Sequence, residues 1–325
     1  MAANPLLSLL PATINGKTHT ELLQEIQEFN ALRGVHELDG NHYAWLMPRD
    51  NFDALKTFQV RDDDIYMVTF PKSGTHWLGE IIDYVMSEGR DDFDRTNMSA
   101  VLEITMEADP SKFASATPGY KILETMASPR IMGTHCLPNL LPPQVMDKKP
   151  KMFYLARNPK DLMVSYFIFI KPFLTPTLQT WEGFLFMLVA GQMVGGSWFD
   201  HVLSYWERRN DDNLLFLKYE DLHKDLKGNI RKVAAHLGKN LSDDVIDKIA
   251  ERVTLAGMQK TYKNIEEAHG EKGKKMTHLF GMAPYLRKGK VGGWKEVFTA
   301  EQSALFDMIY AEKMKGSGLD FDFEL

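Results

Sequence analysis

Three short segments combine basic side chains with glycine or hydroxyl groups, the residue types that bind phosphate groups. Residues 71–75 read PKSGT, residues 157–161 read RNPKD and precede Ser165, and residues 287–290 read RKGK. In such segments, backbone N–H groups and a positive side chain can converge on one anion. Each segment alone also fits a plainer interpretation: an ordinary turn, a helix start with Lys160 in solvent, or a solvated charged loop. Their joint occurrence favours a ligand with more than one anionic group.

The elements around the first segment place it where a parallel sheet binds ligands. Ile65 to Phe70 is a short apolar run typical of a buried strand, and helical spacing extends from about Trp77 to Met86. A strand, a tight loop and a helix in this order bring the helix N-terminus to the anion. The loop is P-loop-like but is not a Walker A motif, because Lys72 precedes Gly74 instead of following it. A P-loop kinase is therefore a remote alternative.

The rest of the chain alternates between strand-like and helix-like runs. Strand-like runs cover residues 130–132, 152–156 and 214–218, and helical spacing covers residues 162–169, 198–208, 229–237 and 301–315. This alternation predicts an α/β fold, a single domain with a central parallel sheet flanked by helices.

The early part of the chain is interpreted separately. Leu22, Ile26 and Phe29 have helical spacing, and an irregular stretch follows to about Leu55. We expect residues 1–42 to form a helical and irregular segment packed on the core, and residues 43–325 to form the main domain.

The composition limits the classes of function. The chain has 325 residues, 44% of them hydrophobic, and a net charge of −6, so neither nucleic acid nor an anionic membrane is an expected partner. The single cysteine, Cys136, cannot form an intrachain disulfide and fits the reducing cytoplasm. Phe184 to Ala190, the longest apolar run, is too short to span a bilayer. No His, Cys or Asp cluster has the spacing of a metal site.

The three segments and their spacing resemble the cytosolic sulfotransferase family, from about Tyr43 to the C-terminus. That family transfers a sulfuryl group from 3′-phosphoadenosine 5′-phosphosulfate (PAPS) to a hydroxyl or amine and releases 3′-phosphoadenosine 5′-phosphate (PAP). The resemblance implies that the first loop binds the 5′-phosphosulfate, that the second and third segments bind the 3′-phosphate, and that other residues lie beside the adenine. The donor-binding residues that it implies are Lys72, Ser73, Gly74, Thr75, His76, Trp77, Arg157, Ser165, Tyr219, Thr254, Leu255, Met258, Arg287, Lys288 and Gly289.

The resemblance also implies three catalytic residues. His135, within the run from Gly133 to Pro138, corresponds to the histidine that removes the proton of the acceptor. Lys72 stabilises the departing phosphate, as in-line phosphoryl-type transfer requires, and no metal is needed. Ser165 restrains Lys72 until the acceptor binds.

The chain departs from the family pattern inside the site. Gly133 stands where the family usually has a lysine, two residues before the catalytic histidine, and Lys171 is a candidate substitute. His76 replaces the second threonine of the phosphosulfate loop, and Gly293 replaces an aspartate. These departures leave a second interpretation open, a catalytically weakened PAPS- or PAP-binding protein.

Acceptor and assembly are less well specified by the sequence. Aromatic and methionine-rich stretches at residues 166–173 and 184–198 suggest an apolar acceptor pocket for phenols, steroids or alcohols. The dimer motif of the family retains Lys295 and Thr299 but has Ala300 and Ala304 at its other anchors. A monomer or a weak homodimer is therefore expected.

Overall fold

Short strand pairs and helices precede the central sheet. The computed structural model describes residues 5–91, 100–107, 112, 115–279, 283–284 and 286–325. The first elements are β1 (Thr13–Ile14), β2 (Lys17–Thr18), α1 (His19–Leu32), β3 (His36–Leu38), β4 (Asn41–Tyr43) and α2 (Arg49–Leu55). Thr18 begins α1 with a capping box in which its side chain and that of Glu21 each bind the other's backbone N–H. The stretch expected to be irregular up to Leu55 thus contains a strand pair and a helix.

Strands and helices then alternate, as the sequence predicts. The elements are β5 (Ile65–Thr69), α3 (Thr75–Met86), α4 (Gly119–Thr125), β6 (Ile131–Thr134), α5 (Gln144–Lys148), β7 (Lys151–Ala156), α6 (Pro159–Ile170), α7 (Trp181–Val189), α8 (Trp198–Trp206), β8 (Leu214–Lys218), α9 (Tyr219–Lys224), α10 (Leu226–His236), α11 (Asp243–Arg252), α12 (Leu255–Thr277), β9 (His278–Leu279), β10 (Ala283–Pro284) and α13 (Ala300–Met314). Gly270 interrupts α12 with a positive φ of 55°.

The central sheet has four parallel strands in the order β6-β5-β7-β8. β5 lies between β6 and β7, so the loop that leaves β5 emerges between the ends of the other two strands. In open α/β sheets, ligands bind outside the carboxyl ends of the strands, at the point where the strand order reverses. The predicted α/β class with a central parallel sheet is confirmed.

Alternation along the strands produces two apolar layers. On β5, Tyr66 and Val68 join a core cluster with helices α1, α6, α7, α8 and α13. Ile65 and Met67 join a second cluster with α3, α10 and α11. Successive residues of a strand face opposite sides of the sheet, so helices cover both faces.

A buried ion pair fixes the start of the two strands that lead to the site. Arg130 directly precedes β6, and Asp64 directly precedes β5. The Arg130 guanidinium donates to both carboxylate oxygens of Asp64, at 2.7 and 2.6 Å, and both residues are at most 1% exposed. Bidentate geometry of this kind holds two chain segments in one register. The pair thereby helps to set the relative position of the opposite ends, where Thr69 and His135 lie.

Candidate active site

The loop after β5 turns back on itself to begin α3. Lys72 and Gly74 both have positive φ, 73° and 115°. A Cβ at Gly74 would lie 3.0 Å from the ring of Tyr219 and 3.2 Å from the side chain of Leu155, so glycine is required for both conformation and space. Gly74 is the N-cap of α3, whose first N–H groups have no partner within the helix. The loop therefore presents main-chain donors next to Lys72.

Cationic groups gather around this loop. Burial, together with Arg157 and Arg287, lowers the pKa of Lys72 to about 8. Lys72 Nζ lies 4.5 Å from the centre of the Phe169 ring, a cation–π contact. Burial, followed by Lys72 and His135, lowers the pKa of His76 to about 3, so its imidazole is neutral near pH 7. The cationic charge at neutral pH therefore resides on lysine and arginine.

His135 follows the last residue of β6 and has a defined tautomer. Its Nδ1 lies 2.7 Å from the carbonyl oxygen of Thr69 at the end of β5. A carbonyl oxygen only accepts, so Nδ1 carries a proton, and in the neutral ring Nε2 then holds the lone pair. The Thr69 hydroxyl lies 2.7 Å from that of Thr75 in the loop and 3.3 Å from His135 Nδ1. These contacts connect the histidine to the loop between β5 and α3.

Arg157, which directly follows β7, bridges the first and third segments. Its guanidinium donates to the carbonyl of Lys72 at 3.2 Å and to that of Lys290 at 3.4 Å, and it lies 4.4 Å from the Tyr219 ring. Its Nε is buried and has no hydrogen-bond partner among the described residues. A guanidinium so placed, with a donor still available, suits an oxyanion.

Asp161 and Lys160 do more than begin a helix, because both side chains contact other segments of the chain. The N-cap of α6 is Asn158, whose side chain accepts from Asp161 N–H. The Asp161 carboxylate accepts from the N–H groups of Gly292 and Trp294, each at 2.8 Å, and so holds the third segment against α6. Lys160 is 2% exposed and contacts Asp307 at 2.7 Å, so the interpretation of a solvated Lys160 is wrong.

Three aromatic rings, inclined to one another at 56° to 72°, form a surface beside the loop. Trp77 lies 5.0 Å from Tyr219 and 4.8 Å from His223, and its Nε1–H donates to the Val253 carbonyl at 2.8 Å. Sequence reasoning missed His223, although it lies one helical turn after Tyr219 on α9. Such a surface is suited to stacking against a nucleobase.

One cavity of about 350 Å³ brings most of the expected residues together. Those that line it are Lys72, Gly74, Thr75, His76, Trp77, His135, Arg157, Ser165, Tyr219, Leu255, Met258, Arg287, Lys288 and Gly289. Ser73 and Thr254 are outside this lining. Ser73 is buried beneath the loop, and the exposed Thr254 accepts from the N–H of Gly257 at the start of α12. Gly289, at φ 55°, has no room for a Cβ because Leu255 would be 3.0 Å away.

The same cavity also has apolar walls. They comprise Trp45, Met47, Ile104, Met106, Tyr166, Phe169, Ile170, Phe173 and Leu174. The expected stretch 166–173 thus contributes to the cavity lining, but from the stretch 184–198 only Val194 and Gly195 do so. Phe184 is instead fully buried in the core. An apolar helix in the core and one in a pocket wall have the same sequence pattern, so the pattern could not separate them.

The departures from the family pattern also have defined surroundings. Gly133 lines the cavity near Thr75 and Val101. Lys171 is exposed, lies 5.5 Å from the Phe167 ring and does not line the cavity, so it does not take the place of a lysine at Gly133. Lys295 pairs with Glu324, and Thr299 caps α13, so both retained residues of the dimer motif have partners within the chain.

Two buried side chains outside the cavity contact the main chain of His135. Glu103 accepts its N–H at 2.7 Å, and His201 Nε2 lies 3.2 Å from its carbonyl oxygen. Neither residue belongs to a motif that the sequence pattern singles out.

Within the described ranges, no group of three His, Cys, Asp or Glu residues could hold a metal ion, and no helix is long and apolar enough to cross a membrane.

A family model, curated relatives and solved structures all match this chain to sulfotransferases. A family model described as a sulfotransferase domain matches residues 62–318. Mouse sulfotransferase 1B1 is 36% identical over 276 residues, which cover 83% of this chain and 89% of the mouse protein. Rabbit amine sulfotransferase is 36% identical over 278 residues, 84% of this chain and 88% of the rabbit protein. The crystal structure of mouse sulfotransferase SULT7A1 complexed with PAP has a TM-score of 0.70 and 33% identity, and covers 87% of this chain and 96% of that chain.

Proposed function

Because this chain belongs to the sulfotransferase family, we propose that it transfers the sulfuryl group of PAPS to a hydroxyl, or an amine, of a small and mainly apolar acceptor. One observation carries the proposal. His135, whose Nε2 accepts a proton in this tautomer, and Lys72, a cation near neutral pH, line one cavity that has both basic and apolar walls. Phenols, steroids and aliphatic alcohols have the chemistry that such a cavity accepts.

The donor end fits a nucleotide with phosphate groups at two positions. Arg157 has a buried Nε without a partner among the described residues, and Arg287 and Lys288 line the cavity beside it. Gly74 and Gly289 allow close approach of the main chain, and Trp77 and Tyr219 supply aromatic surfaces. The PAP complex of the related mouse protein supports this assignment. Arg157, Ser165 and Arg287 are the groups that we assign to the 3′-phosphate.

We assign the chemistry to two residues on neighbouring strand ends. His135 accepts the proton of the acceptor hydroxyl on Nε2 while Thr69 holds its Nδ1–H. Lys72 and the N–H groups of the loop stabilise the negative charge that develops on the departing phosphate, more strongly in the transition state than before it. Ser165, which lines the cavity on α6, restrains Lys72 until the acceptor binds.

The setting of the reaction follows from simple features of the chain. Its single cysteine, Cys136, is a buried thiol, which fits a reducing compartment, and we place the activity in the cytoplasm. We propose a monomer or a weak homodimer, because Ala300 and Ala304 replace two anchors of the family's dimer motif.

Transfer of ³⁵S from labelled PAPS to a panel of phenols, steroids, alcohols and amines tests the proposal. Wild-type protein should label an acceptor, and His135→Ala should lower kcat by about 10²- to 10⁴-fold, the contribution of a general base, with PAP binding retained. His236→Ala is the matched control, since this half-buried histidine also bonds main-chain carbonyls but lies outside the cavity. Wild-type protein that binds PAP but labels no acceptor would favour a PAPS- or PAP-binding protein without transfer activity.

A further inference from the structure

The main chain of His135 is held on both sides by side chains that touch no part of the cavity. Glu103 accepts the N–H at 2.7 Å, and His201 Nε2 lies 3.2 Å from the carbonyl oxygen. Glu103 and His201 are 1% and 2% exposed, and neither lines the cavity. They do not line the cavity, and the contact that each makes with the main chain of His135 is a direct route by which it can affect transfer.

The partners of His201 assign its protonation. The carbonyl of His135 can only accept, so His201 Nε2 carries a proton. Its Nδ1, 2.9 Å from the Tyr154 hydroxyl, then accepts from that hydroxyl. Burial, followed by the neighbouring His135, lowers the pKa of His201 to about 3, in agreement with a neutral ring that uses one nitrogen as donor and the other as acceptor. His201 is therefore oriented by contacts at both nitrogens.

Glu103 replaces the strand neighbour that His135 lacks. β6 ends at Thr134, so the sheet ladder no longer pairs the N–H of the next residue. One oxygen of the Glu103 carboxylate accepts that N–H, and the other accepts the Thr134 hydroxyl at 2.8 Å. Thr134 Oγ1 in turn accepts the N–H of Cys136 at 3.1 Å. A single buried carboxylate thus organises three consecutive residues around the histidine.

We propose that Glu103 and His201 are positioning residues for sulfuryl transfer. They hold the main chain of His135 so that its Nδ1–H meets the Thr69 carbonyl and its Nε2 faces the acceptor hydroxyl. The inference rests on the proposed function, because it requires His135 to be the base. Misplacement of a catalytic group by about 1 Å costs about 100-fold in rate, so removal of either contact should lower kcat without weakening substrate binding.

The experiment compares two substitutions of His201 with one of Tyr205. His201→Leu removes the donor to His135, whereas His201→Gln can place an amide N–H near the position of Nε2. Tyr205→Phe is the matched control, because the buried Tyr205 hydroxyl donates at 2.8 Å to the carbonyl of the adjacent residue, Cys136. We expect His201→Leu to lower kcat at least tenfold, with the acceptor KM and the PAP Kd within twofold of wild type. His201→Gln should restore most of kcat, and Tyr205→Phe should leave it within twofold.

A second pair of variants keeps the proposal testable if His201→Leu does not fold. In Glu103→Gln the amide oxygen can still accept the His135 N–H, while Glu103→Leu loses this contact. We expect kcat to be retained in Glu103→Gln and to fall at least tenfold in Glu103→Leu.

The outcomes separate this inference from the function on which it rests. Absence of transfer by wild-type protein, or full activity of His135→Ala, would overturn the proposed function and the positioning roles with it. Loss of activity in His135→Ala, combined with unchanged kcat in His201→Leu and Glu103→Leu, would overturn the positioning roles alone. An equal loss of kcat in Tyr205→Phe and His201→Leu would also overturn them, since it would point to general loosening of the core.

Discussion

Gly133 is the position at which a second cation can be added to the proposed site. It lines the cavity two residues before His135, and its φ is outside the left-handed region. A Cβ there would lie 3.4 Å from the Val101 side chain and 3.8 Å from the Thr75 methyl, which are ordinary contacts. The main chain therefore has room for a Cβ at this position, and because Gly133 lines the cavity we expect a lysine side chain there to extend into it. We expect this substitution to raise kcat.

The size of the increase follows from two opposing effects. A hydrogen bond to a charged group contributes about 1.5 to 3 kcal/mol, which corresponds to about tenfold to 150-fold in rate. A second ammonium group also disfavours the charged form of Lys72, whose pKa already lies at about 8 because of burial, Arg157 and Arg287. We therefore expect an increase in kcat at the lower end of this range, about tenfold at pH 7, and a smaller increase above pH 8.

The assay is steady-state transfer from ³⁵S-labelled PAPS, with PAP affinity measured by calorimetry. Gly133→Met is the matched control, because methionine adds a side chain of similar length without charge. If Gly133→Lys binds PAP and has a kcat no higher than wild type, or if Gly133→Met gives the same increase, the electrostatic reasoning is refuted.

Three further predictions concern other groups of the molecule. Arg157→Ala should weaken PAP binding by about tenfold to 100-fold, because a charged hydrogen bond is lost, but should barely change the binding of adenosine 5′-phosphosulfate. Equal losses of affinity for the two ligands in titration calorimetry would contradict the 3′-phosphate assignment. The PAP affinity of wild-type protein should fall as pH rises through about 8, because the Lys72 ammonium loses its proton there and the anion binds the charged form. Lys72→Met should lower kcat by about 10²- to 10³-fold and should abolish this pH dependence of PAP affinity. Arg130→Met should lower the free energy of unfolding in urea by about 3 to 5 kcal/mol, because it leaves the Asp64 carboxylate buried without its partner; a loss below about 1 kcal/mol would show that the pair contributes little.

Local motifs were sufficient to predict the sheet and most of the polar and basic residues that line the cavity. β5 and β8 were expected at nearly the observed bounds, because continuous apolar runs are typical of buried parallel strands. Lys72 and Arg157 each follow such a strand, and strand order brings their loops together. The α/β class and the family were therefore within reach of the sequence, while the division at residue 42 stays a prediction.

The groups that hold His135 could not be predicted in this way. Glu103 and His201 are separated from it by 32 and 66 residues. Neither stands in a recognisable motif, and only the packed fold shows that each contacts a main-chain group rather than solvent. Several apolar residues of the cavity wall were missed for a related reason, since Trp45 and Met106 come from connections without a regular pattern.

The division of the cavity between two kinds of chain segment has a consequence for how such proteins diversify. Lys72 and Arg157 of the cationic part follow strand ends that the sheet fixes in place, although Arg287, Lys288 and Lys290 come from a connection. Much of the apolar end comes from connecting segments such as residues 44–47 and 101–106. Connections tolerate substitution far better than sheet elements do. After gene duplication, changes in those connections can alter which acceptor is bound. The residues on the strand ends that we assign to the donor can meanwhile stay the same.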